Sequence, residues 1–343
     1  MTSVTVLALD GALASSVAIT LDVLTMANRC CENVGRPHAF AVRLVGSGAA
    51  LFRPFLAFPE ATHAEPDLFV IPAQGFSKAA SYRERLAEPD VMEARRLVMS
   101  AAADGARIAS SCTGGLLLAS TGLLDGRRAT TAWWLAPVFR EMFPRVRLDT
   151  TELVLSDGPY TTAGAAMAQM DLIVGLVARY AGGEIAETCA RKMVLDERRS
   201  QAPYMAISLL AASDDGVARA VAWARPRLAE RIEVGDLARV VSQSPRTFAR
   251  RVLAATGLSP IQLLQRLRVE RAIELIESTP LPFGEIAFRV GYADPSTLRS
   301  LIRRGSGLGP RDLRARSRPG AAPALPPPPG VGLPELDRIA SEA

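Results

Sequence analysis

The stretch Ile286-Ala287-Phe288-Arg289-Val290-Gly291-Tyr292-Ala293-Asp294-Pro295-Ser296-Thr297-Leu298 has a counterpart earlier in the chain, Leu237-Ala238-Arg239-Val240-Val241-Ser242-Gln243-Ser244-Pro245-Arg246-Thr247-Phe248. Each sets an apolar-Ala pair on a short helix. A valine and a turn follow, then a polar cap, Pro, a variable residue, Thr and an apolar residue. The alanines lie 49 positions apart and the prolines 50, so the second turn is one residue longer. Ser244 and Asp294 are good N-caps, and Pro245 and Pro295 fall at the first helical position, where a missing N–H costs nothing. Gly291 accepts the positive φ of a tight interhelical turn, whereas Ser242 at the matching place needs a different or strained turn. Helix, short turn and capped second helix make a helix-turn-helix, whose second helix enters the major groove of DNA.

Between the two copies, Pro260–Ser278 carries Leu263, Leu264, Leu267, Ala272, Leu275 and Ile276 on a helical period. Its 19 residues give a helix ~28 Å long, which would hold two recognition helices near one DNA turn (~34 Å) apart. From Ser213 to about Arg316 the pattern is all-helical. Asp196–Ala212, with Pro203, reads as a linker, and the proline-rich tail 318–343 as disordered or polyproline II. Charge follows the same division. Residues 1–200 hold 20 basic and 21 acidic side chains, and residues 201–343 hold 20 and 14, so the second part is the one that meets a polyanion. Its basic groups are all Arg, the better residue for phosphate and guanine, although a GC-rich coding bias gives the same preference.

Residues 1–195 alternate strand-like and helix-like segments. Val4–Leu9, Phe40–Val45, Leu68–Ile71, Ala106–Ser110, Ala129–Thr131, Leu153–Leu155 and Tyr160–Thr162 read as strands. Helices are expected at about 15–32, 89–104, 114–121 and 166–181. Such alternation predicts a mostly parallel sheet with helices on both faces and a site at the carboxyl ends of strands. At Ala109-Ser110-Ser111-Cys112-Thr113-Gly114-Gly115 a strand turns sharply into a helix, which presents Cys112 as a nucleophile elbow does. A helix N-terminus beside a thiol lowers its pKa.

Residues 214–316 resemble the AraC/XylS family DNA-binding domain, with S-P-R-T-F (244–248), T-G-L-S-P (256–260), R-V-E-R-A (268–272) and I-A-F-R-V-G-Y-A-D-P-S-T-L (286–298) in family order. The resemblance implies that Arg246, Ala249 and Arg250 face base edges from the first recognition helix, and Ser296, Arg299 and Ser300 from the second. It leaves Thr247, Arg251, Thr297, Arg303 and Arg304 for phosphates. The family aromatic near Leu301 or Ile302 is missing and Gly305-Ser306-Gly307 is less apolar than usual, so a shorter or looser second recognition helix is expected.

Residues 1–185 resemble the DJ-1/PfpI superfamily, related to class I glutamine amidotransferases, through the Cys112 elbow and L-L-D-G-R-R-A-T-T (123–131). The whole chain is similar to the GlxA-like subgroup of AraC regulators. This implies a flavodoxin-like first domain in which Asp22 approaches Cys112 and the Gly75 region offers backbone N–H groups. Enzymatic relatives have His after the Cys, where this chain has Thr113. Regulators often have His after A-T-T, where it has Ala132, followed by Trp133 and Trp134. Hydrolysis needs a base to move protons, and the only histidines, His38 and His63, lie in no motif. The site reads as a pocket for a small-molecule effector lined by Asp22, Gly75, Cys112, Thr113 and Trp133. For Cys112 three roles stay open: pocket wall, buried structural residue, or redox- or electrophile-sensing thiol.

The 343 residues suffice for two domains. Four cysteines without paired spacing give neither a disulfide framework nor a zinc site, and no metal or cofactor is expected. No apolar run reaches ~18 residues, and the start lacks a signal-peptide pattern. The expectation is a cytoplasmic, homodimeric, ligand-responsive regulator that binds double-stranded DNA and RNA polymerase but no membrane. The alternative is a Cys-dependent hydrolase, amidase or glyoxalase-like enzyme with an accessory DNA-binding domain.

Overall fold

The computed structural model describes residues 1–57, 65–75, 81–196, 198, 200–201, 204–306 and 308–316. His63, Pro203 and the proline-rich tail lie outside the described residues. Contacts divide the chain into two compact units. One comprises Met1–Arg227 with Ile232–Arg266, and the other Leu228–Arg231 with the chain from Leu267 onward.

In the first unit, strands β1 (Thr2–Leu7), β2 (Phe40–Val45), β3 (Leu68–Ile71), β4 (Arg107–Ser111), β7 (Val154–Asp157) and β8 (Tyr160–Ala163) form one sheet in the order β2-β1-β3-β4-β8-β7. Every pairing is parallel except β7 with β8 at the edge. β5 (Arg128–Ala129) and β6 (Arg147–Leu148) make a small parallel pair of their own. The interior strands read as nearly unbroken apolar runs because both faces are covered. Alternate residues serve opposite cores. Val4, Val6, Leu68, Val70 and Ala109 pack on one side with α1 (Ala14–Asn33), α7 (Ala168–Ala181) and α8 (Gly183–Lys192). Leu7, Phe69, Ile71 and Ile108 pack on the other with α4 (Pro89–Ala103), α5 (Gly114–Ser120) and α6 (Ala136–Met142). The short helices α2 (Ala49–Phe52) and α3 (Ser81–Leu86) complete this part.

The same unit contains α9 (Ile207–Ala211), α10 (Asp215–Ala224), α11 (Val234–Val240) and α12 (Pro245–Thr256). Phe248, Val252, Leu237 and Ala238 are buried, as is the Val217–Ala220–Val221–Ala224 stripe of α10. α12 rests on α6 and α9 as well as on α10 and α11. The unit seam falls inside α13 (Pro260–Ser278). In the second unit, α14 (Phe283–Arg289), α15 (Pro295–Ser306) and α16 (Pro310–Arg316) enclose a core of Val269, Ala272, Ile276, Ile286, Ala287, Val290, Leu298, Ile302 and Leu313. The expected shortening of the second recognition helix does not occur. α15 has 12 residues, as α12 does, and Ile302 is fully buried where an aromatic was expected.

Candidate nucleic-acid interface and cysteine elbow

The two sequence copies fold alike down to single hydrogen bonds. After α11, the Gln243 N–H donates to the Ala238 carbonyl at 2.9 Å; after α14, the Tyr292 N–H donates to the Ala287 carbonyl at 2.9 Å. Both are the long-range bond of a Schellman closure, which needs a left-handed residue just before the donor. Gly291 supplies it at φ 83° and Ser242 at φ 54°. Of the two options open to Ser242, the strained turn is the one adopted. The Ser244 hydroxyl then accepts the Thr247 N–H at 3.2 Å and starts α12, while the Asp294 carboxylate accepts the Ser296 N–H at 2.8 Å at the start of α15. The Ser296 hydroxyl donates to the same carboxylate and holds its pKa below the usual range.

Burying Phe248 and Val252 turns the opposite face of α12 outward. Arg246 and Arg250 are exposed, Thr247 and Ala249 half-buried. On α15, Leu298 and Ile302 point inward, leaving Ser296, Thr297, Arg299, Ser300, Arg303 and Arg304 exposed. Arg299 lies over the Phe283 ring, 5.4 Å from its centroid, which steadies the side chain by a cation–π contact. Arg246, Arg250, Arg303 and Arg304 have no carboxylate partner among the described residues. Arg251 departs from expectation. Its Nε and Nη2 donate to the two oxygens of Asp214 at 2.8 and 2.6 Å, and Asp214 also caps α10 by accepting the Val217 N–H at 3.0 Å. The fork is spent inside the protein, so Arg251 is a strut and not a free phosphate ligand.

At the carboxyl ends of β1, β3 and β4, Cys112 sits at φ 50° between β4 and α5, its N–H donating to the Ala163 carbonyl at 3.0 Å. The elbow is close-packed. A Cβ on Gly114 would come within 2.5 Å of the Ile71 carbonyl oxygen. The Thr113 hydroxyl donates to the Gln74 carbonyl, and the Thr131 hydroxyl to the Cys112 carbonyl at 3.0 Å. Gly75 lies against the Gly11 carbonyl with no room for a side chain. The α1 residue at the elbow is Ser16, whose hydroxyl accepts the Ala73 N–H at 3.0 Å and lies 3.5 Å from Ser111 Oγ. Asp22 is corrected: it is exposed, while its neighbours Leu21 and Val23 are buried. Six residues at ~100° each carry Asp22 well off the face that bears Ser16.

The thiol is corrected too. Burial pushes Cys112 up to about 11, and opposing hydrogen bonds from Thr113 and the Ala166 backbone do not offset the desolvation. At neutral pH it is a protonated thiol. His38 pairs with Glu32 at 2.5 Å on the surface and offers no base. Trp133 is buried and stacks edge-on with the half-exposed Trp134, ring centroids 5.6 Å apart. The Trp133 backbone N–H donates at 3.2 Å to the side-chain oxygen of a residue that carried no sequence signal, Gln201. The buried Gln201 amide also donates to the Thr131 carbonyl at 2.8 Å and reaches Thr130 Oγ1 and the Glu152 carbonyl, so the segment read as a linker is tied to the strand-end loops. Among the described residues, no group of His, Cys, Asp and Glu side chains could hold a metal ion, and no helix is long and apolar enough to cross a membrane.

Residues 2–179, more than half of the chain, match the profile of the DJ-1/PfpI family, and residues 237–316 that of a helix-turn-helix domain. Similar curated proteins include the HTH-type transcriptional regulator GbdR of Pseudomonas aeruginosa, 28% identical over 216 residues that cover 62% of this chain and 59% of GbdR. The regulator ArgR of the same organism is 28% identical over 283 residues, 80% of this chain and 85% of ArgR. GlxA of Rhizobium meliloti is 25% identical over 216 residues, 62% and 66% of the two chains. The alignment thus spans less than two thirds of GbdR. With the cysteine elbow on a mostly parallel sheet and the duplicated Schellman-turn helix pairs, these matches show that the chain belongs to the DJ-1/PfpI family and carries an AraC-type helix-turn-helix domain.

Proposed function

We propose that the chain is a sequence-specific, DNA-binding transcriptional regulator whose DJ-1/PfpI-like part senses a small molecule and does not catalyse a reaction. The observation that carries this reading is the pair of capped helices, each begun by the same turn and each presenting arginines without a carboxylate partner among the described residues. Arg246, Ala249 and Arg250 on α12, and Ser296, Arg299 and Ser300 on α15, read bases in adjacent major grooves. Thr247, Thr297, Arg303 and Arg304 hold phosphates, which position the protein without reading sequence. The effector contacts the elbow region around Gly75, Cys112, Thr113 and Trp133, and the working form is a homodimer acting with RNA polymerase. The buried, protonated Cys112 with no adjacent base supports the non-catalytic assignment. As domains, 1–195 is the sensor, 196–212 the connection, 213–317 the DNA reader and 318–343 a tail.

A salt titration of DNA binding by the full chain tests this. Arg246→Ala relaxes base preference at one position at a cost of ~1–3 kcal/mol. Arg303→Ala weakens every sequence alike and reduces the salt slope by about one. Equal losses on specific and random duplex for Arg246→Ala would remove it as a base reader. Turnover of amides or 2-oxoaldehydes abolished by Cys112→Ser would overturn the non-catalytic assignment.

A further inference from the structure

Beside α6, a cavity of about 370 Å³ is lined by Arg128, Arg140 and Arg147 from the DJ-1/PfpI-like part, and by Thr256, Gly257 and Leu258 from the end of α12. All of these residues belong to one compact unit. The volume is that of a metabolite site. Its charge is lopsided, with three arginines against Asp149. That carboxylate is already occupied: it accepts the Thr151 N–H at 3.1 Å and hydroxyl at 2.7 Å, and lies 3.4 Å from Arg128. Arg147 has no carboxylate partner among the described residues. Arg140 is in a costlier position, since its Nη1 is buried with no hydrogen-bond partner among the described residues. An unsatisfied buried donor of a charged group costs more than a neutral one does. Native proteins keep such a group where a ligand, ion or water completes it. We infer that this cavity binds a small oxyanion, the carboxylate or phosphate of a metabolite, between Arg140 and Arg147.

The position of Arg140 gives such an anion a route to the DNA-reading helix. Gly257 is the left-handed residue that ends α12, at φ 74°, and its N–H donates to the Leu253 carbonyl at 2.8 Å. A Cβ on Gly257 would collide with the Arg140 guanidinium, so this glycine lets the cation lie directly on the helix end. The carboxyl end of a helix carries partial negative charge and favours a cation. An oxyanion in the cavity competes with that helix end for Arg140, so α12 docked on α6 and α12 released from it bind the anion with different affinity. Operator DNA, which contacts α12, then senses the anion by linkage. Coupling to DNA presupposes the regulator function proposed above; binding of the anion does not.

The test uses the full chain, with inorganic phosphate and, separately, succinate as probes and chloride at matched ionic strength as the reference. At least one probe raises the Tm saturably, and which of them does so tells phosphate from carboxylate. Arg140→Gln and Arg147→Gln each weaken the apparent affinity about tenfold or more, while Arg96→Gln, at an exposed arginine of α4 outside the cavity, leaves it unchanged. Arg147 is exposed and unpaired, so its variant folds and keeps the test valid if Arg140→Gln does not. Wild-type responses in both cavity variants, or only the linear stabilisation that excluded salts give, would overturn the anion site. Duplex selected from a random pool by the full chain then separates the two ideas. Selective binding that shifts with the saturating probe in wild type but not in Arg147→Gln supports coupling. Selective binding that never shifts overturns coupling alone, and no selective binding overturns the regulator function while leaving the anion site standing.

Discussion

Cys112 decides whether the elbow behaves as a chemical sensor, and its environment allows the outcome to be worked out. With the thiol near 11, about 3 in 10⁴ molecules carry a thiolate at pH 7.5, against about a tenth for an ordinary cysteine of pKa ~8.5. Its thiolate population is thus about 300-fold below that of a free thiol, a loss only partly offset by the greater nucleophilicity of a higher-pKa thiolate, and near-complete burial slows the reaction with Ellman's reagent further. Cys30, Cys31 and Cys189 are buried as well, so native protein shows no fast-reacting equivalent and guanidinium releases four. The same shift makes stability depend on alkaline pH. The folded state holds the proton more tightly than the unfolded one, so the contribution is complete below about pH 8 and is lost as pH rises through about 11. Two pKa units correspond to about 3 kcal/mol in all, of which about 2 kcal/mol disappears between about pH 8 and 10.5. Urea denaturation of wild type and Cys112→Ala at those two pH values isolates this contribution, because the other cysteines are common to both. A fast-labelling equivalent mapped to Cys112, or identical pH dependence in the two proteins, would refute the argument that burial outweighs the helix N-terminus.

Exchanging the turn residues separates backbone strain from sequence identity. Ser242→Gly stabilises α11–α12 by up to ~1 kcal/mol by relieving a left-handed non-glycine residue. Gly291→Ala destabilises the second unit by ~2 kcal/mol or more, because its Cβ also meets the Leu228 carbonyl; amide hydrogen exchange reads each unit by itself. Arg251→Ala costs ~1 kcal/mol, discounted for partial exposure, and leaves the salt slope of DNA binding unchanged. Since the Arg251 bonds help to hold the Asp214 carboxyl below its ordinary range, that stabilisation is present above about pH 4 and fades as acid protonates Asp214, so Arg251→Ala flattens the acid branch of the stability profile. Gln201→Ala, which strands the Trp133 N–H and the Thr131 carbonyl, costs ~2–4 kcal/mol in urea denaturation, with altered tryptophan fluorescence as an independent readout.

The sheet was legible because strands covered on both faces must be apolar at every position, as Leu68–Ile71 is. The helix pairs were legible because Ser244, Pro245, Asp294 and Pro295 act through their own backbone neighbours. What failed to show depended on the far side of a contact. Ser16 and Asp22 share a helix, and only docking against β3 and β4 decides which one faces the elbow. Arg251 looks like its exposed neighbours until α10 brings Asp214 to it from 37 residues away. Gln201 lies in a stretch without periodicity, and only the folded loops give its amide three acceptors. The amphipathic α8 has no legible pattern of its own, because GEIAETCARK mixes small, acidic and basic residues that become a face only against α1 and α7. For Cys112 both opposing influences were readable, but their relative size was not, since burial is a property of the whole fold.

The continuity of α13 across the seam at Arg266–Leu267 has a practical consequence for dissecting the molecule. The helix-turn-helix match marks residues 237–316 as a cassette, yet its first helix pair is upholstered from outside it, by α6 of the DJ-1/PfpI-like part and by α9 of the connecting segment. Excision ahead of α10 strips α12 of two supports, whereas the second helix pair keeps its own core wherever it is transplanted. A hybrid made by swapping the DJ-1/PfpI-like part would therefore leave α12 resting on an unfamiliar surface.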